Sequence, residues 1–207
     1  MNILVTGSAG MLGAAVVDRM GRDGSVTGVD LPDGDLTLES AVGALFEKYR
    51  PDWVIHCAAW TDVDGAENDR ELSLAVNAGA TANLAAACAG SGAGLTYVST
   101  DYVFDGTGDG HDEDDPRRPI NHYGLTKARG EEVVEALETP WQIVRTSWLF
   151  GDGASNFVKT MRRLLGERET LTVVDDQRGC PTYSADLAEI LAFLVRGGHR
   201  GIFHGTN

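Results

Sequence analysis

Short apolar runs alternate with helical segments along almost the whole chain, and this alternation restricts the fold more than any other feature. The opening shows the pattern: residues 2–6 form a continuous apolar run, and Leu12, Val16 and Met20 then share one helical face. Similar runs predict further strands at 26–29, 53–56, 95–98, 141–145, 171–174 and 201–204. Strands that are apolar throughout favour a parallel sheet with both faces covered. We therefore expect an α/β fold, a doubly wound parallel sheet with helices on both faces.

The segments between these runs have helical spacing. Helices are predicted over 11–20, 36–49, about 71–89, about 123–137, 157–165 and 185–195. With 207 residues, of which 43% are apolar and 23% charged, the chain has the size and composition of one globular domain.

The charge and the cysteine content argue against several classes of protein. A net charge of −14 disfavours nucleic acid or an anionic membrane as a partner. No segment resembles a membrane span or a signal peptide. Cys57, Cys88 and Cys180 form neither a disulfide framework nor a metal-type spacing, which is typical of a reduced, cytoplasmic protein. His111 and the acidic run 112–115 indicate a solvated loop, so no metal site is predicted.

A glycine-rich turn joins the first strand to the first helix. Gly7, Gly10 and Gly13 allow a tight turn and let backbone N–H groups approach a pyrophosphate, which the helix amino terminus also attracts. The spacing is G-x-x-G-x-x-G rather than the commoner G-x-G-x-x-G, so the turn is a variant. Its place between strand and helix favours a dinucleotide site over a helix start with structural glycines.

Two further positions fit a bound dinucleotide. Asp30 ends the second strand, where a carboxylate would bond the adenosine ribose and repel a 2′-phosphate. Residues 31–40 contain no Lys or Arg to offset that repulsion, so NADH is favoured over NADPH. Ala58 and Ala59, after the third strand, leave room for a cofactor at the sheet edge, although they also suit simple helix packing.

Tyr123 and Lys127 lie four residues apart and share one face if the segment is helical. A free phenol titrates near ~10, and a neighbouring cation is expected to lower that pKa. Thr100, at the carboxyl end of the fourth strand, supplies another hydroxyl. The three residues therefore suggest an acid/base centre. Taken alone, the tyrosine–lysine spacing is more typical of an ordinary helix surface, and the context of the other motifs favours the acid/base centre.

Segments along nearly the whole chain resemble the extended short-chain dehydrogenase/reductases. The glycine turn 7–13 and residues 123–127 resemble the superfamily as a whole. Those that resemble its dTDP-4-dehydrorhamnose reductase branch are 56–64, 99–106, 145–148, 176–182 and 201–204. The resemblance implies a Rossmann-like NAD(P)-binding domain over 1–147 and part of a small substrate lobe within 148–207. It also implies that the family continues past residue 207, so this lobe is expected to be incomplete.

The resemblance also implies roles for individual residues. The cofactor is expected to contact Gly10, Met11 and Leu12 at its pyrophosphate, Asp30, Asp35 and Leu36 at its adenosine half, and Ala59, Trp60 and Thr61 near its nicotinamide. Tyr123 would donate the proton, and Lys127 would hold the nicotinamide ribose and lower the tyrosine pKa. Thr100 and Asp101 would face the sugar, and Trp148 would flank it. The loop 177–182 would lie near the nucleotide of the substrate.

The reaction that the resemblance implies is reduction of dTDP-4-dehydro-L-rhamnose, a nucleotide 4-keto-6-deoxy sugar, to dTDP-L-rhamnose by NADH or NADPH. A homodimer and a bound Mg²⁺ are suggested by the resemblance alone. A dehydratase is disfavoured, because Asp101 is followed by Tyr102 and not by a second carboxylate. An epimerase stays possible. So does a non-catalytic subunit like the regulatory subunit of methionine adenosyltransferase, although intact Thr100, Tyr123 and Lys127 argue against it.

Overall fold

The computed structural model describes residues 1–22, 24–153 and 155–207. In this part of the chain, six parallel strands form one sheet in the order β2-β1-β3-β4-β5-β8, and β6 pairs with β7 in a separate parallel ribbon. The strands are β1 Asn2–Thr6, β2 Ser25–Val29, β3 Trp53–His56, β4 Gly94–Thr100, β5 Trp141–Thr146, β6 Leu149–Phe150, β7 Thr182–Tyr183 and β8 Gly201–His204.

Helices cover both faces of the large sheet. They are α1 Met11–Gly21, α2 Glu39–Tyr49, α3 Val63–Asn68, α4 Arg70–Leu74, α5 Ala80–Ser91, α6 His122–Glu135, α7 Phe157–Glu167 and α8 Ser184–Gly197. Because successive strand residues point to opposite faces, Val5 packs with α1 and α8, whereas Leu4 packs with α2, α5 and α6. All four residues of β3 are buried. The predicted doubly wound parallel sheet is confirmed.

The structure differs from the sequence analysis in several local elements. The predicted strand at 171–174 is absent from the described chain; Val173 and Val174 are exposed, and no neighbouring strand pairs with them. The second helix begins at Glu39 rather than at residue 36. The sequence analysis missed β6, β7 and the short helix α3, whose amino terminus is capped by the Asp62 carboxylate.

The helical stretch Arg70–Ser91 is long and apolar enough to cross a membrane by length and composition alone, which the sequence analysis did not expect. It consists of α4, a π-helical turn at Ala75–Gly79, and α5. Leu84 and Cys88 of this stretch belong to the core on one side of the sheet. Core helices of globular proteins meet the same criterion, so the feature is weak evidence for a membrane span.

Candidate active site

A cavity of about 760 Å³ opens at the carboxyl edge of the sheet. The segments that follow β1 to β5 meet there, which is the edge at which doubly wound folds bind ligands. The residues predicted for cofactor, substrate and catalysis line this cavity, with the exceptions of Trp60 and the loop 177–182. They are Gly7, Gly10, Met11, Leu12, Gly13, Asp30, Asp35, Leu36, Ala58, Ala59, Thr61, Thr100, Asp101, Tyr123, Lys127 and Trp148.

The glycine turn is too tightly packed for side chains. Gly7 has φ +67, and a Cβ there would lie 2.6 Å from the Ala58 backbone nitrogen. A Cβ at Gly13 would collide with the Gly7 carbonyl oxygen. Gly10 precedes α1 without a side-chain cap, so first-turn amides remain available as hydrogen-bond donors at the cavity wall. The turn therefore fits the pyrophosphate of a dinucleotide.

Asp30 has a structural role in addition to its place on the cavity. Its carboxylate accepts hydrogen bonds from the Ala9 amide at 2.8 Å and from the Leu31 amide at 2.9 Å. It thereby ties the end of β2 to the glycine turn. Asp35 accepts from the Thr37 amide and hydroxyl, and these bonds lower the pKa of its carboxyl. Both carboxylates lie on the part of the cavity that the adenosine half was expected to occupy.

Asn77 supports the cavity wall from behind, and the sequence analysis missed it. Asn77 lies in the π-helical turn. Its side-chain oxygen accepts from the backbone N–H of Trp60 at 2.8 Å, and its side-chain nitrogen donates to the Trp60 carbonyl at 3.1 Å. It also donates to the Thr126 hydroxyl at 2.9 Å. Asn77 thus joins the loop after β3 to α6. The sequence feature that could have indicated this role is a polar amide side chain within an alanine-rich helical segment.

Helix α6 carries Tyr123 and Lys127, both buried, on the face toward the sheet. Asn121 caps the helix by accepting from the Gly124 amide at 2.7 Å, so Tyr123 lies in the first turn. The Lys127 ammonium donates to the Val98 carbonyl at 2.8 Å and lies 4.1 Å from the centre of the Tyr97 ring. The predicted shared helical face is confirmed.

The expected lowering of the Tyr123 pKa by Lys127 is wrong for this structure. Burial raises the pKa of Tyr123 to about 12, and the hydrogen bond with the Thr100 hydroxyl offsets only part of this. Burial also lowers the pKa of Lys127 to about 7, against the opposing influence of Glu131 and Cys57. Desolvation dominates because Lys127 is only 2% exposed, although the Val98 carbonyl and the Tyr97 ring both favour the ammonium.

The residues expected to face the sugar lie on the cavity wall where β4 and β5 end. The Thr100 hydroxyl donates to the Asp101 carboxylate at 3.1 Å and accepts from the Tyr102 amide at 3.2 Å. Burial raises the pKa of the Asp101 carboxyl. Trp148 has φ +44, a strained conformation for a bulky residue, and such strain concentrates at functional sites.

The loop 177–182 contacts Trp148 instead of the cavity. All of its residues are described, and none of them lines the cavity. Gly179 lies against the Trp148 ring, where a Cβ would come 2.7 Å from the indole. The Ser147 hydroxyl donates to the Cys180 carbonyl at 2.8 Å. This loop therefore braces the tryptophan, and its predicted contact with the substrate nucleotide stays a prediction.

A metal site is not formed by the described residues. Within 1–22, 24–153 and 155–207, no three His, Cys, Asp or Glu side chains come together in a group that could hold an ion. His111 instead lies 3.2 Å from the Asp115 carboxylate and stacks on Phe104. The Mg²⁺ that the resemblance suggested therefore stays a prediction.

Comparison with known proteins identifies the family. The family model described as RmlD substrate binding domain matches residues 1–207. The chain belongs to the dTDP-4-dehydrorhamnose reductase family. A dTDP-4-dehydrorhamnose reductase of Streptomyces griseus is 45% identical, over 99% of this chain and 70% of the relative. A dTDP-4-keto-6-deoxy-D-glucose reductase of Streptomyces niveus is 44% identical, over 99% of this chain and 72% of the relative.

A solved structure of this reductase family has the same fold. The dTDP-4-dehydrorhamnose reductase of Bacillus anthracis, in complex with NADP, is 42% identical and superposes with a TM-score of 0.96 over 100% of this chain and 75% of its own. The resemblance stated from the sequence is confirmed. The chain is an NAD(P)H-dependent oxidoreductase of the extended short-chain dehydrogenase/reductase superfamily.

Proposed function

We propose that this protein reduces dTDP-4-dehydro-L-rhamnose to dTDP-L-rhamnose. The observation that carries the proposal is the convergence of Thr100, Tyr123 and Lys127 on the same cavity as the glycine turn. That arrangement supplies a proton donor, a hydroxyl and a cation beside a dinucleotide cradle. These are the groups that reduction of a carbonyl needs.

A bound nicotinamide cofactor would supply the hydride that adds to C4 of the keto sugar. Tyr123 donates its phenolic proton to the C4 oxygen, so the carbonyl becomes a hydroxyl and the tyrosine becomes a phenolate that regains a proton from solvent. A pKa of about 12 keeps Tyr123 protonated at neutral pH, as a proton donor must be. Lys127 is proposed to hold the nicotinamide ribose through its ammonium, the role that the resemblance implies.

Thr100 is proposed to polarise the sugar carbonyl. Its hydroxyl donates to Asp101 at 3.1 Å in this structure, so it must rotate toward the substrate oxygen to act. A donor aimed at developing negative charge contributes more than one aimed at the neutral carbonyl. Asp101 would then be free to bond a sugar hydroxyl, and Trp148 would form the wall beside the ring.

NADH is the proposed cofactor. The Asp30 carboxylate lines the cavity, and two backbone amides hold it in place. A 2′-phosphate on the adenosine ribose would be repelled by this charge, and residues 31–40 contain no cation to compensate. The Bacillus anthracis relative was solved with NADP, so both cofactors belong in the test.

The test is loss of the reduced-nicotinamide absorbance when the purified protein is mixed with NADH or NADPH and a nucleotide sugar. Because the two Streptomyces relatives are named for different sugars, dTDP-4-dehydro-L-rhamnose and dTDP-4-keto-6-deoxy-D-glucose are tested separately. We expect faster consumption with the rhamnose precursor. Epimerised sugar without net cofactor loss would indicate an epimerase. Cofactor binding with no conversion of either sugar would favour the non-catalytic role.

A further inference from the structure

Three buried side chains follow one another at successive turns of α6. Tyr123, Lys127 and Glu131 are 9%, 2% and 0% exposed, and all three are directed at the sheet. The proposed chemistry uses the first two. The third is an unusual choice, because a glutamate is rarely buried completely unless it is paired.

Glu131 is held by two arginines. The Arg145 guanidinium donates to both carboxylate oxygens, from Nε at 3.0 Å and from Nη2 at 2.8 Å. Arg117 adds a third donor at 3.1 Å. Arg145 lies on β5 and is itself only 3% exposed. This is a bidentate, desolvated pair, the geometry in which such an interaction is most specific.

Consecutive turns of α6 are thereby fixed to neighbouring strands. Lys127 bonds the Val98 carbonyl on β4, and Glu131 bonds Arg145 on β5 one turn later. The two strands are in register there, with Ser99 opposite Arg145. Thr100 follows Ser99 on β4. The Lys127–Val98 and Glu131–Arg145 contacts therefore fix the position of Tyr123 and Lys127 along the sheet relative to the Thr100 hydroxyl.

We propose that Glu131 is a positioning residue, which fixes α6 against β4 and β5 and supplies a negative charge that favours the ammonium form of Lys127. The structural part stands on the geometry. Its consequence for turnover rests on the proposed function.

His56, Cys57 and Tyr97, which interact with Lys127 in the described part of the chain, are neutral at pH 7. Burial lowers the pKa of His56 to about 3 and raises that of Cys57 to about 12. Burial also raises the pKa of Tyr97 well above its usual value. Burial raises the pKa of the Glu131 carboxyl, but Arg145 outweighs it, so that this pKa is lowered and the group stays ionised. Among the groups that shift the Lys127 pKa in the described chain, the anion is therefore Glu131.

The chain makes this measurable, because its lysines are only Lys48, Lys127 and Lys159. NMR titration of ¹³C-labelled lysine follows each ammonium directly, and single Lys→Arg variants assign the signals. Glu131→Gln is expected to lower the Lys127 midpoint by about one pH unit. The matched control is Glu132→Gln, because Glu132 lies next in the helix and pairs outward with Arg129. That variant is expected to leave the midpoint unchanged.

A second variant covers the case in which Glu131→Gln does not fold. Arg117 is less buried than Arg145, and Arg117→Gln removes one of the cations that compensate Glu131. The Lys127 midpoint is then expected to rise, because more of the negative charge of Glu131 is left uncompensated. This shift is opposite in direction to that expected for Glu131→Gln. A midpoint that stays in place in Glu131→Gln, or that does not rise in Arg117→Gln, overturns the proposal.

Activity gives an independent readout. Since the charged lysine is the form that acts, the alkaline limb of the turnover profile should move to lower pH in Glu131→Gln with the NMR midpoint. A purely structural role would lower turnover at every pH without moving the limb, and that result would also refute the proposal. An inactive wild-type protein would instead contradict the proposed function and leave the titration result standing.

Discussion

The Lys127 ammonium donates to the Val98 carbonyl oxygen at 2.8 Å, and this bond ties the helix that carries Tyr123 to the strand that ends in Thr100. The lysine is therefore an anchor as well as a charge. Burial of the phenol raises the pKa of Tyr123 to about 12, so the tyrosine stays a protonated donor at neutral pH.

The glycine turn gives a steric prediction. Gly13→Ala places a Cβ against the Gly7 carbonyl oxygen, so we expect destabilisation of ~1–3 kcal/mol and much weaker dinucleotide binding. The control is Gly43→Ala in the exposed interior of α2, where an added Cβ meets nothing within 4 Å. That change should stabilise by ~0.5–1 kcal/mol. Urea unfolding and a cofactor titration measure both, and similar effects of the two substitutions would contradict the role of the turn.

Asp30 gives a prediction about cofactor preference. Asp30→Asn removes the charge and keeps one of the two oxygens, so the hydrogen bond from either Ala9 or Leu31 is lost. The ratio of kcat/KM for NADPH to that for NADH is expected to rise roughly tenfold, because repulsion of a 2′-phosphate is relieved. Asp33→Asn is the control, since Asp33 is a nearby carboxylate that is not part of the cavity wall. An equal change in both variants would show that the effect is not local to Asp30.

Asn77 gives a prediction about the loop after β3. Asn77→Ala leaves the Trp60 N–H and carbonyl without their amide partner, at a cost of ~1–3 kcal/mol in stability. The substitution should also weaken cofactor binding, because the two neighbours of Trp60 in the chain, Ala59 and Thr61, line the cavity. Asn68→Ala, at an exposed asparagine bonded only locally to Asp64, is the comparison. If cofactor affinity is unchanged in Asn77→Ala, the hydrogen bonds between Asn77 and Trp60 do not shape the cofactor site.

His56 gives a prediction about acid stability. Burial lowers the pKa of His56 to about 3, below the ~6.5 of a histidine in the unfolded chain. The neutral buried ring therefore contributes fully to the free energy of unfolding above pH ~6.5, and this contribution is lost as the pH falls from there toward 3. His56→Asn cannot titrate and keeps a group near the Thr6 hydroxyl that the ring contacts at 2.7 Å. Between pH 7 and pH 4 the wild type should lose ~3 kcal/mol relative to the variant. If the free energy of unfolding depends on pH in the same way in the wild type and in His56→Asn, His56 is not the source of the acid sensitivity.

The large sheet was predictable because each of its four central strands, β1, β3, β4 and β5, carries an apolar run that is buried in the core. The run 171–174 has the same composition, but no strand lies beside it, so pairing and not composition decided the outcome. The ribbon of β6 and β7 was not predictable, because two-residue strands carry no periodicity. Its pairing depends on how the chain returns after Trp148.

The cavity residues were largely predictable from motifs, whereas their protonation was not. The spacing of Tyr123 and Lys127 showed that they share a face, but how deeply α6 is buried follows from its packing on β4. The same packing buries Glu131, which the sequence alone presents as an ordinary charged helix residue. Dimer formation, cytoplasmic location and the domain boundary at residue 147 stay predictions.

Steady-state reduction by the wild-type protein and by Tyr123→Phe tests the central claim most directly. With NADH and dTDP-4-dehydro-L-rhamnose, the variant is expected to lose at least ~100-fold in kcat while its affinity for the cofactor is unchanged, because only the proton donor is removed. Tyr49→Phe, which changes a tyrosine of α2, should keep full turnover. Turnover by Tyr123→Phe equal to that of the wild type would contradict the account.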